Sequence, residues 1–237
     1  RRCLEYADMC GLTYLGHCED ASLIETGAMN AGLNSTKLGL SGMPRAMEEI
    51  AVDRLVRLAC LTGAKVHVCH VSTAGSVAIV RRAKASGIRV TCETAPHYWT
   101  LTDDAVTTFD TNAKMNPPLR ETEDVAAIKE GLQDGTIDCI ATDHAPHTPT
   151  EKDVEFDYAP FGIVGLETSL GLVLTELVEP GVLTLERAIA LMTHAPAQIL
   201  ALPAGRLEAG GPADIAIFAP NAEWTVDPAA FLSRSRN

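Results

Sequence analysis

Three short apolar runs in this chain each end in a side chain that can hold a metal ion or move a proton. "LTYLGH" (12–17) ends in His17, "KVHVCH" (65–70) in His70, and "IDCIATDH" (137–144) in Asp143 followed by His144. On a strand, alternate residues share a face. Val66, Val68 and His70 then fall together, as do Thr13, Leu15 and His17, and as do Ile137, Cys139, Ala141 and Asp143. Two neutral imidazoles and a carboxylate suit zinc, which activates water near neutral pH and polarises a carbonyl. A single histidine at a strand end is more often a hydrogen-bonded structural residue. Three strands ending alike bring the ligand reading level with the structural one.

The remaining polar candidates weigh less. By alternation His67 faces away from His70, toward helices, and reads as structural. His194, in "MTHAPAQIL", sits in a helical pattern and reads the same way. His97, after Pro96, closes a strand and reads as a hydrogen bonder behind the site. Seven cysteines form no Cys-x-x-Cys pair, so a cysteine zinc site is rejected. Cys60, Cys69, Cys92 and Cys139 stand beside apolar residues, as buried free thiols do. An odd, irregular set in a chain of 237 residues points to a reducing, cytoplasmic setting.

The elements that must position these groups alternate along the chain. Strand-like runs at 12–18, 65–71, 89–97 and 136–144 are separated by helical patterns. One runs from Pro44 to Gly63, with Val52, Leu55, Val56 and Ala59 at helical spacing. Another follows Ser72 or Thr73 as cap and stops at Gly87. A third covers 121–135, with Val125, Ile128 and Leu132 on one face, and two more cover 165–178 and 184–201. Alternating strands and helices, the strands apolar on both faces, predict α/β with a parallel sheet. The stretch "GRLEAGGPADIAIF" (205–218), with a Gly-Gly-Pro turn and alternating Ile215 and Ile217, reads as β structure of a second, smaller domain.

Composition closes several alternatives. The net charge of −12 disfavours nucleic acid and anionic membrane surfaces as partners. No apolar run approaches the ~20 residues a transmembrane helix needs. No glycine-rich phosphate loop follows any strand. The first residues, "RRCLEYADMCG", read as the middle of a helix, and "FLSRSRN" carries no cap, so the expectation is a piece of a longer protein.

In this setting the sequence resembles the type I dihydroorotases of the cyclic amidohydrolase family. "GHCED", "VHVCHVSTAGS", "ETAPHYWTLTDD", "AKMNPPLR", "IATDHAPHT" and "FGIVGLET" follow one another in that family's order, and "GRLEAGGPADIAIF" resembles its return into a small β-sandwich. The resemblance implies a (β/α)8 TIM barrel that hydrolyses L-dihydroorotate reversibly to N-carbamoyl-L-aspartate in de novo pyrimidine synthesis, with one or two zinc ions. His17 and His70 match the metal-binding histidines ending the fifth and sixth strands. Asp143 matches the aspartate ending the eighth, both metal ligand and catalytic proton carrier. Asn116, His147, Phe161 and Gly162 match substrate-binding positions.

The family's His-x-His-x-Arg strand, a following asparagine and a bridging acidic ligand would lie upstream of Arg1. Residues 1–202 are therefore expected to be the C-terminal half of the barrel, about strands 5–8, inactive alone, and 203–237 a segment of the β-sandwich domain. The expected partners are the small-molecule substrate and, as assemblies, a homodimer or a complex with aspartate transcarbamoylase. Two rivals stand beside this reading. Hydantoinases and allantoinases share single motifs, and a non-catalytic dihydroorotase-like scaffold of aspartate transcarbamoylase would share the fold but tends to lose metal ligands.

Overall fold

The computed structural model describes residues 1–237. Its strands are shorter than the apolar runs that predict them: β1 (Tyr14–Gly16), β2 (Met29–Asn30), β3 (Gly42–Met43), β4 (Val66–Val68), β5 (Val90–Thr94) and β6 (Cys139–Ile140). β1, β4, β5 and β6 form one parallel sheet in that order, while β2 and β3 make a separate parallel pair. The pair β2–β3 escaped the sequence reading because two residues per strand carry no periodicity.

Register separates the two faces of the main sheet. Leu15 pairs with His67 and His67 with Thr91, while Glu93 pairs with Cys139, so these side chains share one face. Val66, Val68, Val90, Cys92 and Ile140 take the other face. They are buried in one apolar cluster with Val52, Val56, Val77, Val80, Ile128 and Leu132 from the helices. The helices thus cover one face, and on the opposite face Leu15 is 48% exposed. Parallel strands in sequential order with helices on one side form the wall of a barrel, whereas a doubly wound sheet is covered on both sides.

This arrangement corrects the face assignment made by alternation. His67 lies on the open face, not toward the helices, and Val66 and Val68 point to the helical core. β4 ends at Val68, and His70 adopts a left-handed backbone with φ +36°. Alternation holds only while the chain stays extended, so His70 cannot be assigned by counting from Val66. Cys60 is exposed, against the expectation of burial, because it falls on the outer side of its helix; all seven cysteines are unpaired.

The helices begin and end where local chemistry says they should. Arg45–Thr62 follows Pro44 and stops at Gly63, whose φ of +74° suits a residue without Cβ. Ala74–Ala85 is capped by Thr73, whose Oγ1 accepts the Ser76 N–H at 3.2 Å. Thr122–Asp134 stops at Gly135. The pattern over 165–178 is helix Ser169–Val173 running into a π-helical turn, Leu174–Val178. The pattern over 184–201 splits into Leu185–Met192 and His194–Ile199, with Thr193 between them at φ −130°. Pro196 explains the break: it has no N–H, and its ring opposes the carbonyl of Met192.

The stretch 205–218 forms no strand, and Ile215 and Ile217 are 61% and 96% exposed. A strand is stable only with a neighbour for its backbone groups, and this stretch pairs with neither sheet.

Polar groups buried beside the sheet tie the loops together. Glu48, 2% exposed, accepts the backbone N–H groups of Ser72 and Thr73 at 3.1 Å each, and both hydroxyls as well. Arg120, equally buried, donates to Ser72 Oγ at 3.1 Å and to Asn30 Oδ1 and the Met43 carbonyl at 3.0 Å; its Nη2 lies 3.9 Å from Glu48. Further out, the Lys152 ammonium donates to the carbonyls of Thr111 (2.9 Å), Pro160 (2.8 Å) and Lys114 (3.3 Å). Lys114 donates to those of Phe156 and Asp157. Two buried lysines so fasten the loop that spans 149–163.

Arg120→Met leaves Glu48 as a buried charge short of its cation, and should cost about 3–5 kcal/mol in urea unfolding. Adding Glu48→Gln should recover part of that loss, whereas an additive or larger loss would mean that the two do not act as a pair. Lys152→Met takes a donor from three carbonyls, leaves that of Pro160 without one, and should cost about 1–3 kcal/mol. Limited proteolysis should then cut first within 149–163; cleavage unchanged from the parent protein would show that the lysine does not hold the loop.

Candidate active site

The strand ends bring His17 and His70 into direct contact. His17 Nδ1 stands 2.8 Å from His70 Nε2, with the rings edge to face. His17 Nε2 reaches Glu19 Oε2 at 3.1 Å, and the same oxygen accepts the Asn116 Nδ2–H at 2.5 Å. Four side chains from three separate segments thus form one chain: His70, His17, Glu19, Asn116. Glu19 had no role in the sequence reading. The available signal was its place in "GHCED", two residues after His17, where extended backbone returns to the same side.

Burial decides the charge state of the histidines behind this chain. Burial lowers the pKa of His70, and His17 adds to that, while the Asp143 carboxylate pulls the other way. His97, 5% exposed, is pushed down to about 3 by burial and by His70 beside it, and is neutral at pH 7. Its Nε2 lies 4.0 Å from Asp143 Oδ2 and has no hydrogen-bond partner. His97 therefore stands next to Asp143 but makes no hydrogen bond to it, unlike the hydrogen bonder that the sequence suggests.

Asp143 and His70 share an unusual backbone. Both are non-glycine residues at positive φ, +48° and +36°. Such conformations cost on the order of 1 kcal/mol or more and persist where surrounding structure enforces them, commonly at functional sites. Asp143 is close enough for its charge to act on both Cys69 and His70. It does not join His17 and His70 in one tight cluster, however. The three-residue group whose donor atoms all lie within 4.8 Å of one another is His67, Glu93 and Cys139.

His147, Phe161 and Gly162 come together as a second group. His147 Nε2 donates to the Phe161 carbonyl at 2.9 Å, and its backbone N–H donates to Asn237 Oδ1 at 3.0 Å. Gly162 has φ +140°, and a Cβ there would sit 2.7 Å from the Cβ of Ala145, so only glycine lets these loops cross. The Phe161 ring lies under the Lys114 ammonium, 4.7 Å from it. The Gly162 N–H donates to the Lys114 carbonyl at 2.9 Å, which joins this group to the segment carrying Asn116. His144, beside Asp143, accepts the Gly165 N–H at Nδ1 (3.1 Å) and serves the loop. His194 begins a short helix, away from these groups.

The donor set fits a metal ion. Two imidazole nitrogens face each other from neighbouring strand ends, burial keeps His70 in the neutral form that coordinates, and a carboxylate lies nearby. The buried Nδ1 of His70 and Oδ1 of Asn116 have no hydrogen-bond partner in the protein, so the site retains unused polar capacity.

Known proteins bear on this geometry at three levels. Curated dihydroorotases from Pelotomaculum thermopropionicum and Trichlorobacter lovleyi are 58% and 56% identical over all 237 residues. This chain covers 56% of each, so it spans little more than half the length of those relatives. The solved structure of an L-hydantoinase (dihydropyrimidinase) from Arthrobacter aurescens superposes with a TM-score of 0.79 at 28% identity, over 89% of this chain and 48% of that one. A D-hydantoinase (dihydropyrimidinase) from Thermus sp. matches with the same TM-score at 24% identity, over 90% of this chain and 49% of its own, and supports the fold alone. The amidohydrolase family model matches residues 1–237 without interruption. With a parallel α/β sheet of TIM-barrel type and histidines meeting at its strand ends, the chain belongs to the amidohydrolase family.

Proposed function

We propose that this chain is the metal- and proton-handling part of a dihydroorotase, which opens the ring amide of L-dihydroorotate reversibly to N-carbamoyl-L-aspartate. The observation that carries the reading is the meeting of His17 and His70 at 2.8 Å in a chain 58% identical, end to end, to a curated dihydroorotase. His17, His70 and Asp143 would hold one or two zinc ions. When bound, zinc lowers the pKa of water toward ~7 and polarises the amide carbonyl.

Asp143 moves the proton. Its carboxylate accepts the proton that the attacking water sheds and returns it to the ring nitrogen as the C–N bond breaks. His97 stays uncharged beside it. Asn116, held by Glu19 through Nδ2, keeps Oδ1 free to accept a ring N–H. His147, Phe161 and Gly162 bind substrate as a preassembled wall, because the His147 Nε2 and the Gly162 N–H are already committed within the loops.

On this reading residues 1–202 supply about strands 5–8 of the barrel, and the open face of the sheet is closed by the other half of the protein. Residues 203–237 begin the small β-sandwich, whose remaining strands would give Ile215 and Ile217 their partners. The chain alone would be inactive. The whole protein would act on a small molecule in the cytoplasm, as a homodimer or with aspartate transcarbamoylase. No helix is long and apolar enough to cross a membrane.

A hydantoinase reading draws on the 28% identity to the Arthrobacter aurescens structure, well below the 58% to the Pelotomaculum thermopropionicum relative. Scaffolds of that kind tend to lose ligands, whereas here His17, His70 and Asp143 all stand.

The zinc-loaded complete protein should hydrolyse L-dihydroorotate in preference to hydantoin and allantoin. Turnover of another ring would change the substrate and keep the site; no turnover by a folded, metal-loaded protein would favour the scaffold. Asp143→Asn should lower kcat by roughly 10²–10⁴-fold, the usual scale of a lost acid–base group, and a variant that keeps most of the turnover would remove Asp143 from the proton path. Chelation should abolish activity and zinc should restore it, as followed by dihydroorotate absorbance.

A further inference from the structure

We propose that His67, Glu93 and Cys139 form a cation site of their own on the open face of the sheet, beneath the strand ends, suited to a zinc-class divalent ion. The three residues come from three adjacent strands, β4, β5 and β6. Glu93 and Cys139 are register partners, and His67 sits diagonally from Glu93. His67 Nε2 lies 3.2 Å from Glu93 Oε2, and Cys139 Sγ lies 3.9 Å from that same oxygen. Donors around tetrahedral zinc, at ~2.0–2.3 Å from the ion, stand about 3.3–3.6 Å apart. The His67–Glu93 distance is already close to that spacing and the Cys139–Glu93 distance a few tenths of an ångström beyond it, while all three donor atoms lie within 4.8 Å of one another.

The hydrogen bonds of His67 prepare it as a ligand. Its Nδ1 lies 2.8 Å from Thr91 Oγ1, and the Thr91 hydroxyl donates its own hydrogen to the Val66 carbonyl at 3.4 Å. Where Thr91 Oγ1 accepts Nδ1–H, the Nε2 lone pair turns toward the Glu93 carboxylate; in the other tautomer Nε2–H donates to Glu93 and the pair needs no ion. A lone pair and a carboxylate oxygen at 3.2 Å repel unless something positive lies between them. A cation shared with the Cys139 sulfur removes that repulsion, and a locked second nitrogen is how metal-binding histidines are usually oriented.

Exposure fits an ion with one open position. His67 and Cys139 are 1% and 2% exposed, while the Glu93 side chain remains 19% exposed on the open face. Three protein ligands leave a fourth position for water or for a group from the part of the protein that closes this face. Burial and the Glu93 carboxylate both push the Cys139 thiol up, so it is protonated until a cation takes its place, and binding should release a proton.

The site is separate from the strand-end pair. His67 is in register with Leu15, two residues before His17, which is ~6.6 Å along a strand. The rejection of cysteine ligands in the sequence rested on the lack of a Cys-x-x-Cys pair, a rule that does not address one thiolate joined to a histidine and a glutamate from other strands.

Cobalt(II) loading of the full-length protein that contains this chain tests the proposal without reference to turnover, so its outcome is independent of the dihydroorotase reading. The expected result is a thiolate-to-cobalt charge-transfer band in the near ultraviolet, lost in Cys139→Ala and retained in Cys18→Ala and Cys69→Ala. Metal analysis should find one equivalent fewer in Cys139→Ala and in His67→Gln. Thr91→Val should weaken cobalt binding by about 10–100-fold while keeping all three ligands. Absence of the band from the wild-type protein overturns the proposal, as does a band that follows Cys18 or Cys69, or unchanged metal content in a folded Cys139→Ala variant. His67 and Glu93 would then be a directly hydrogen-bonded pair. Should Cys139→Ala fail to fold, X-ray absorption of the zinc-loaded wild type still decides, since a lack of any sulfur neighbour to zinc excludes the site.

Discussion

The last hydrogen bonds of the parallel ladder are what the rest of this structure depends on. The Cys69 N–H donates to the Gly16 carbonyl at 3.0 Å, the Val71 N–H to that of Glu93 at 2.8 Å, and the Ala141 N–H to that of Thr94 at 3.0 Å. Each lies at or just past the end of its strand, and together they hold the exits of β1, β4, β5 and β6 at one edge. His17 follows Gly16 directly, His70 follows Cys69, and Asp143 comes two residues after Ala141. A parallel sheet puts such exits on one side by construction. The contact between His17 and His70 is therefore a consequence of backbone pairing, with side-chain chemistry added at its end.

Past those bonds the chain stops being extended, and other forces take over. The left-handed backbones of His70 and Asp143 are costly by themselves. Just beyond His70, Ser72 and Thr73 give both backbone N–H groups to the buried Glu48 carboxylate, and Arg120 reaches Ser72 from the loop that follows Asn116. The same arginine binds the Met43 carbonyl and Asn30 on the small β2–β3 pair. A buried charge network of this kind adds little net stability compared with an apolar core, but it is intolerant of partial loss. Here it fixes the exit of β4 relative to the Asn116 loop, the geometry that an imidazole and an amide need in order to face one ligand.

The sequence disclosed the parts governed by local rules. Helix limits at Gly63 and Thr73 followed from caps and glycine, and the strand-end residues followed from where apolar runs stop. What escaped depended on partners distant in sequence. Glu19 has no meaning until Asn116 arrives from 97 residues away. Lys114, Lys152 and Arg120 would be read as solvated surface, because nothing local shows that carbonyls wait for them in the interior. His67 went to the wrong face because alternation was carried past Val68, where the strand had ended. The stretch 205–218 kept a strand's pattern without a strand's neighbour, and a pattern alone cannot satisfy backbone groups.

The uncovered face of the sheet carries the same lesson about partners into function. An interior meant for ordinary packing would present branched apolar side chains there, as the helix-side face does with Val66, Val68, Val90 and Ile140. Instead, apart from Leu15, that face presents His67, Thr91, Glu93 and Cys139. Burying such groups without hydrogen bonds or a cation would cost several kcal/mol. His67 and Cys139 are already buried there, and their contacts with Thr91 and Glu93 offset part of that cost. A sheet that spends its inward positions on ionisable side chains is organised for chemistry at its core, and its stability is left to the opposite face, where the helices pack.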